Sequence, residues 1–292
     1  MTHPDEAEIE ASRAPLMEHL IELRGRLIIC VAALGVGFAV CFAFSGDIYL
    51  FLLAPFQRAA ELVAIQKAGG GHGPFDLLLA MLGAKAAPHG QIQPIRMVFT
   101  APLEFFFTKV KLAGFGAVVT AFPVLAFQLY RFVAPGLYRR ERKAFLPFLA
   151  ASPVLFLLGA ALVYFVMLPF VLWFSLNQQI MGAGGAVSVE LLPKVSDYLT
   201  LVTTLLLSFG LCFQLPVILA LLAMAGIVQS GMLTASRRYA VVGVFVAAAI
   251  LTPPDPISMM SLAIPGVLLY EISIWCVRLI ELRRRREQAA QA

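Results

Sequence analysis

His19-Leu-Ile-Glu-Leu-Arg-Gly-Arg-Leu27 runs without a break into an apolar segment that continues to Phe44. Leu16, Leu20, Leu23 and Leu27 recur at spacings of four, three and four, which lines one helix face with leucine. Glu18, Glu22, Arg24 and Arg26 fall off that stripe. The pattern predicts an amphipathic helix at a membrane surface that feeds a membrane span and holds carboxylates at the water–lipid boundary. A carboxylate so placed can grip a cationic group on a partner that is itself entering the bilayer.

The rest of the chain agrees with a membrane setting. Of its 292 residues 60% are apolar and only 13% charged, against about 25% charged in soluble domains. This composition excludes a soluble core and predicts an all-α polytopic membrane protein. The net charge of +5 calls for no nucleic acid, because the basic residues fall in loops, where membrane topology puts them. Cys30, Cys41, Cys212 and Cys276 lie in or beside apolar segments without metal-site spacing and read as small buried hydrophobes. His3, His19, His72 and His89 form no ligand pattern. Residues 5–22 carry six acidic groups, so the first span reads as a retained anchor, not a cleavable signal.

Six apolar segments are candidate spans: Leu27–Phe44, Phe105–Tyr130, Phe148–Phe174, Tyr198–Ile227, Tyr239–Leu251 and Ile257–Ile280. The fifth is short, since thirteen residues rise only about 20 Å as a helix. Either its ends recruit polar neighbours or the bilayer thins around it. Fifteen Lys and Arg fall on the side of the termini and five on the other, with Lys109 and Lys111 unassigned. The positive-inside rule therefore places both termini in the cytoplasm. Pro123, Pro153, Pro169, Pro216 and Pro265 fall within spans and predict bent helices and a concave body. The whole chain, 1–292, reads as a single membrane domain with one sizeable outer loop, 45–104, and a basic tail, 281–292. Within that loop, 47–65 predicts an amphipathic helix broken at Pro55. Arg283–Arg286 predict a stop-transfer and headgroup anchor.

Few polar groups stand out near the spans. Gln214 lies two residues before Pro216, and its amide either satisfies a carbonyl freed by that proline or faces a ligand. Glu271 sits about two-thirds along span six, where an ionisable residue is costly and faces protein or water. It is either functional or a structural partner of a hydroxyl or of Arg278. Glu141 is the only acid among five cations in 131–143 and reads equally as a solvated helix-start carboxylate. Glu22 reads equally as the i,i+4 partner of Arg26. No nucleophile–base set, metal cluster or catalytic carboxylate pair is present, so enzyme chemistry has no support.

Five stretches together resemble one family. They are His19-Leu-Ile-Glu-Leu-Arg24, Ala54-Pro-Phe56, Phe132-Val-Ala-Pro-Gly-Leu-Tyr138 leading to Glu141, Phe213-Gln-Leu-Pro-Val217 and Leu251-Thr-Pro-Pro-Asp255. In this order they resemble TatC, the multispanning subunit of the Sec-independent, twin-arginine protein translocase. The resemblance implies a receptor for folded-protein export whose cargo carries a signal with two consecutive arginines. It implies that Glu22 and Glu141 bind those arginines, with Arg24, Arg26 and Phe132 in the same surface. It implies functional places for Pro55 and Asp255, and contact of Gln214 with TatA-like and TatB-like single-span partners in a multimeric complex in the cytoplasmic (inner) membrane. Transport would be driven by the proton-motive force with no bound cofactor. Gln214 stands where some members carry Glu, and 66–95 is longer and richer in glycine than in compact members. The competing reading is an ion-coupled small-molecule transporter that uses Glu271, favoured by proline-broken helices and opposed by the lack of internal repeats.

Overall fold

An apolar run that crosses a bilayer has to satisfy its backbone within itself, which leaves helix as the only form for these segments. A computed structural model describes residues 4–67, 97–133, 141–177, 193–224, 226–251 and 256–289. Its elements are α1 (Pro4–Ala43), α2 (Ser45–Lys67), α3 (Glu104–Val133), α4 (Glu141–Leu162), a π-turn (Val163–Met167) and α5 (Leu168–Asn177). These are followed by α6 (Val195–Cys212), α7 (Leu215–Met224), α8 (Ser230–Ala235), α9 (Arg237–Leu251) and α10 (Pro256–Ala289). Among the described residues the sole β pairing is one isolated parallel bridge, Val98 with Lys194.

Among the described residues five stretches are long and apolar enough to cross a membrane: Leu20–Ala43, Glu104–Arg131, Leu149–Leu176, Val195–Met224 and Leu262–Arg283. They match five of the six expected spans to within a few residues. The first expectation needs correction at its start. No separate surface helix precedes span one, because the leucine stripe and the apolar run share one uninterrupted helix of 40 residues, about 60 Å long. α1 packs along α3, and small residues let the two backbones approach. A Cβ on Gly37 would meet Thr120 Oγ1 at 2.8 Å, and one on Gly116 would meet Cys41 Sγ at 2.7 Å. Little else of the span within α1 is buried.

The fifth expected span is not among these five. α9 has 15 residues and rises about 22 Å. α8 lies directly before it, and the chain keeps turning through Ser236, whose N–H donates to Met232 O at 3.0 Å and whose carbonyl accepts from Tyr239 and Ala240. The path 230–251 thus gains a further turn and a half. α8 is held against α10 by Glu281, whose carboxylate accepts from the Ser230 backbone N–H at 2.7 Å and its hydroxyl at 2.5 Å.

The second correction concerns Pro55. The helix is not broken there. It runs through from Ser45 to Lys67. A proline in a helix removes the N–H that would bond the carbonyl four residues back, and its ring weakens the next bond as well. The carbonyls affected are Phe51 O and Leu52 O. Two tyrosines from other helices supply the missing protons: Tyr164 OH donates to Phe51 O at 2.8 Å, and Tyr198 OH donates to Leu52 O at 2.8 Å. Tyr164 stacks on Phe51 and Tyr198 meets Phe56 edge-on.

The core gathers around this crossing. Leu52, Phe56, Met167, Leu168, Val202, Leu205 and Phe209 belong to one buried cluster drawn from α2, α5, α6 and the π-turn. The π-turn explains the Tyr164 geometry. Leu168 N–H bonds Val163 O, five residues back, and the extra residue turns Val163, Tyr164 and Met167 all inward. α4 and α6 cross at a point with no room for side chains on either glycine: a Cβ on Gly159 would sit 2.7 Å from Phe209 O, and one on Gly210 would sit 2.5 Å from the Phe156 ring. Such small-residue crossings set membrane-helix packing, because lipid supplies no hydrophobic drive to association.

Candidate functional site

The carboxylate singled out first, Glu22, lies on α1 with Arg26 one turn on. Arg26 Nη2 ion-pairs with Glu22 Oε1, and Arg26 Nη1 donates to Gln128 O on α3 at 3.3 Å. The Arg26 side chain is 15% exposed and Glu22 is 40% exposed. One guanidinium therefore ties the carboxylate to the neighbouring helix and leaves it presented at the surface. Gln128 lies near the C-terminal end of α3, and Glu141 is the first residue of α4. Glu22 and the start of α4 thus belong to one end of the helix bundle. Position one of a helix favours a carboxylate, since unpaired N–H groups and the helix dipole give that end positive character. Phe132 is the penultimate residue of α3. Arg24 is exposed and, two positions from Glu22, points to another side of α1.

The remaining polar candidates sit elsewhere. Gln214 is buried and forms a closed pair with Ser152 of α4: the Ser152 hydroxyl donates to Gln214 Oε1 at 2.6 Å, and Gln214 Nε2 donates to Ser152 O at 2.9 Å. The amide bonds a neighbouring helix, not the carbonyl freed by Pro216. Glu271 accepts from Arg237 Nη2 at 2.7 Å, an ion pair between α10 and the start of α9. The arginine is Arg237, not Arg278, whose Nη2 reaches Thr234 Oγ1 at 3.3 Å. Pro55 holds the tyrosine-capped crossing at the opposite end from Glu22. Asp255 lies outside the described residues. Glu22 and Arg26 come together; Gln214, Glu271 and Pro55 occupy three separate places. Among the described residues no group of three His, Cys, Asp or Glu could hold a metal ion.

Several groups escaped the sequence reading. Ser152, Arg237, Tyr164 and Tyr198 are partners distant in sequence. Glu104 is a local case: its Oε2 accepts from Thr100 N–H at 2.8 Å and Ala101 N–H at 3.2 Å, with Lys194 Nζ 3.6 Å away. Thr100 and Glu104 are four residues apart, one more than the threonine–acid spacing that marks a helix start, so the sequence carried no signal for this contact.

A family model described as "Sec-independent protein translocase protein (TatC)" matches residues 18–265. The chain belongs to the TatC family. A TatC from Magnetococcus marinus is 42% identical over 279 residues, covering 96% of this chain and 89% of that one. The Escherichia coli TatC is 34% identical over 275 residues, covering 94% and 92%. The chloroplastic TATC of Arabidopsis thaliana is 35% identical over 277 residues, covering 94% and 68%. Among solved structures, one described as the twin arginine translocase receptor TatC superposes with a TM-score of 0.66 at 32% identity, covering 89% of this chain and 98% of that one. This TatC-family chain is a core subunit of the Sec-independent, twin-arginine translocase. The reading as a small-molecule transporter coupled through Glu271 finds no support, for the relatives are translocase subunits and Glu271 is held by Arg237.

Proposed function

We propose that this chain receives twin-arginine signal peptides at the Glu22 end of the bundle, with Glu22 and Glu141 each taking one guanidinium. The observation that carries this reading is the anchored, surface-presented Glu22 at the same end as Glu141. Arginine and carboxylate make charge-assisted, often bidentate pairs, so two of each give register as well as attraction. Arg26 acts as a positioning residue. Its second nitrogen, fixed on Gln128 O, keeps the Glu22 carboxylate aimed, and the incoming arginine shares that carboxylate. Phe132 flanks the surface, whereas Arg24 faces another side of α1 and takes no part in it. The reading includes six crossings, with α8 and α9 together forming the fifth, both termini in the cytoplasm, and the inner membrane as location. It also includes TatA-like and TatB-like single-span partners, a multimeric complex and drive by the proton-motive force. The basic loop excess on one side supports that orientation, and the single membrane domain spanning 1–292 is part of the same proposal.

The test is binding of a twin-arginine signal peptide against a twin-lysine control to the detergent-purified chain. A charge-assisted bond is worth about 1.5–3 kcal/mol, so Glu22→Ala and Glu141→Ala should each weaken binding by about tenfold or more. Loss of less than about threefold in both variants would overturn the assignment. Arg26→Gln separates positioning from simple charge. Removing a cation should strengthen binding of a cationic signal on charge alone, whereas a positioning role makes it weaker.

A further inference from the structure

We propose that the extended segment 97–99, just ahead of α3, takes a peptide as an added strand, and that this peptide is the stretch of exported chain directly after the apolar part of the signal. The choice of peptide rests on the signal-binding reading; the added strand rests on the backbone of this segment alone.

The backbone comes first. Val98 and Lys194 form a parallel bridge, in which Val98 N–H donates to Pro193 O at 3.2 Å and Val98 O accepts from Val195 N–H at 3.1 Å. Successive residues of an extended chain present their N–H and C=O groups to opposite edges. Met97 and Phe99 therefore turn theirs away from 193–195. Thr100 and Ala101 donate their N–H groups to Glu104 Oε2 at 2.8 and 3.2 Å, and Ala101 O accepts from Glu104 N–H at 3.1 Å. The same oxygen lies 3.6 Å from Lys194 Nζ, which ties the segment back to the chain that it is bridged with. Phe99 is thus fixed on both sides, while its own N–H and C=O have no partner among the described residues. It is 60% exposed. A free edge of this kind is a template for another strand, and one already held extended loses little on pairing.

The side chains agree. Met97 and Phe99 point to the face opposite Val98, and Val195 to the face opposite Lys194, so the three share one face. Together with Tyr49, Leu53 and Phe56 of α2 they line a cavity of about 250 Å³, far larger than the ~30 Å³ of one water. A strand added beside Phe99 sends every second side chain to that face. The cavity then takes one apolar residue and the main chain supplies the remaining contacts. Main-chain pairing reads no sequence, which suits a site that meets a different sequence in each cargo. Position selects the occupant. α3 starts at Glu104 and runs for 30 residues, about 45 Å, to the end where Arg26 bonds Gln128 O beside Glu22. A signal held at Glu22, with an apolar stretch of ~20 residues crossing as helix, emerges at the outer end of α3. The chain that follows arrives there with its backbone unpaired.

Synthetic twin-arginine signal peptides binding to the detergent-purified full chain test the proposal, one peptide ending at the apolar stretch and one extended into the sequence that follows. The extension should tighten binding by about tenfold, the worth of two main-chain bonds. N-methylation of one alternate set of residues in the extension should abolish the gain and N-methylation of the other set should keep it, because an added strand turns only every second N–H to the edge. Phe99→Pro removes the donor on the protein's side. It should lose the gain yet bind the shorter peptide as wild type does, which reports that the variant is folded. No gain from the extension, equal effects of the two N-methylation patterns, or an undiminished gain in Phe99→Pro would overturn the proposal. Glu22→Ala should weaken both peptides by the same factor. Failure of the Glu22 assignment would show instead as unaltered binding of the shorter peptide in Glu22→Ala, with the gain from the extension still readable.

Discussion

If the hydroxyls of Tyr164 and Tyr198 replace the hydrogen bonds that Pro55 removes, the cost of deleting either should depend on whether residue 55 is a proline. In the wild type, Tyr164→Phe leaves Phe51 O without a donor, and Tyr198→Phe does the same to Leu52 O. The Tyr198 bond is buried and the Tyr164 bond partly so. An unsatisfied buried carbonyl costs about 1–3 kcal/mol, and bonds between membrane helices average nearer 0.6 kcal/mol. Losses of about 1 kcal/mol for Tyr164→Phe and about 2 kcal/mol for Tyr198→Phe follow. Pro55→Ala returns an N–H to Phe51 O within α2. In that background Tyr164→Phe should cost less than about 0.5 kcal/mol, because the carbonyl keeps a partner. The double-mutant cycle should thus show a coupling of about 0.5–1 kcal/mol between positions 55 and 164. Reversible denaturation in detergent can be followed through Trp173, which packs against the core cluster around this crossing, with Trp275 replaced by Phe. An equal cost of Tyr164→Phe in the wild-type and Pro55→Ala backgrounds would refute the reasoning, since the tyrosine would then be packing its ring and not capping a carbonyl.

Three further outcomes are expected. Ser152→Ala should destabilise the chain by about 1–2 kcal/mol by orphaning part of the Gln214 amide, whereas Gln214→Leu with Ser152→Ala should recover most of the loss; thermal unfolding in detergent reads both. Arg237→Gln and Glu271→Gln should each impair insertion or stability, because each strands a charge within the helices, and combining them should restore stability to within about 1 kcal/mol of wild type; a double variant worse than either single would show that the pair does more than neutralise itself. Gly210→Leu should destabilise by about 3 kcal/mol or more, as Phe156 has nowhere to move beside Phe122, stacked on it at 4.1 Å; a well-folded variant in a protease-resistance assay would contradict the close crossing.

The spans were readable because hydropathy is a property of contiguous sequence, and five of them fall where the apolar runs fall. Glu22 with Arg26 was readable for the same reason, as i,i+4 geometry is local. What escaped was pairing across the fold. Pro55 announces two deprived carbonyls, but nothing near it says that residues 113 and 146 positions away from those carbonyls will supply the protons. Arg237 was counted among the loop cations because it directly precedes an apolar run. α8 adds its turns before that arginine and moves it inward along α10 until it meets Glu271. The π-turn left no mark in the sequence either, since one residue added to a buried apolar helix changes no hydropathy average.

The long first helix has a consequence for how the protein responds to its solvent. Most of its apolar circumference faces acyl chains, and burying apolar surface against α3 in place of lipid gains little free energy. Its attachment is therefore a contest between the fit of the Gly37–Thr120 and Gly116–Cys41 seam and the packing of the surrounding chains. Acyl-chain order, saturation and bilayer thickness all enter that contest directly. Because Arg26 hangs from Gln128 at the same seam, any change in how tightly α1 docks also moves Glu22. The composition of the bilayer is thereby written into the geometry of the Glu22 carboxylate.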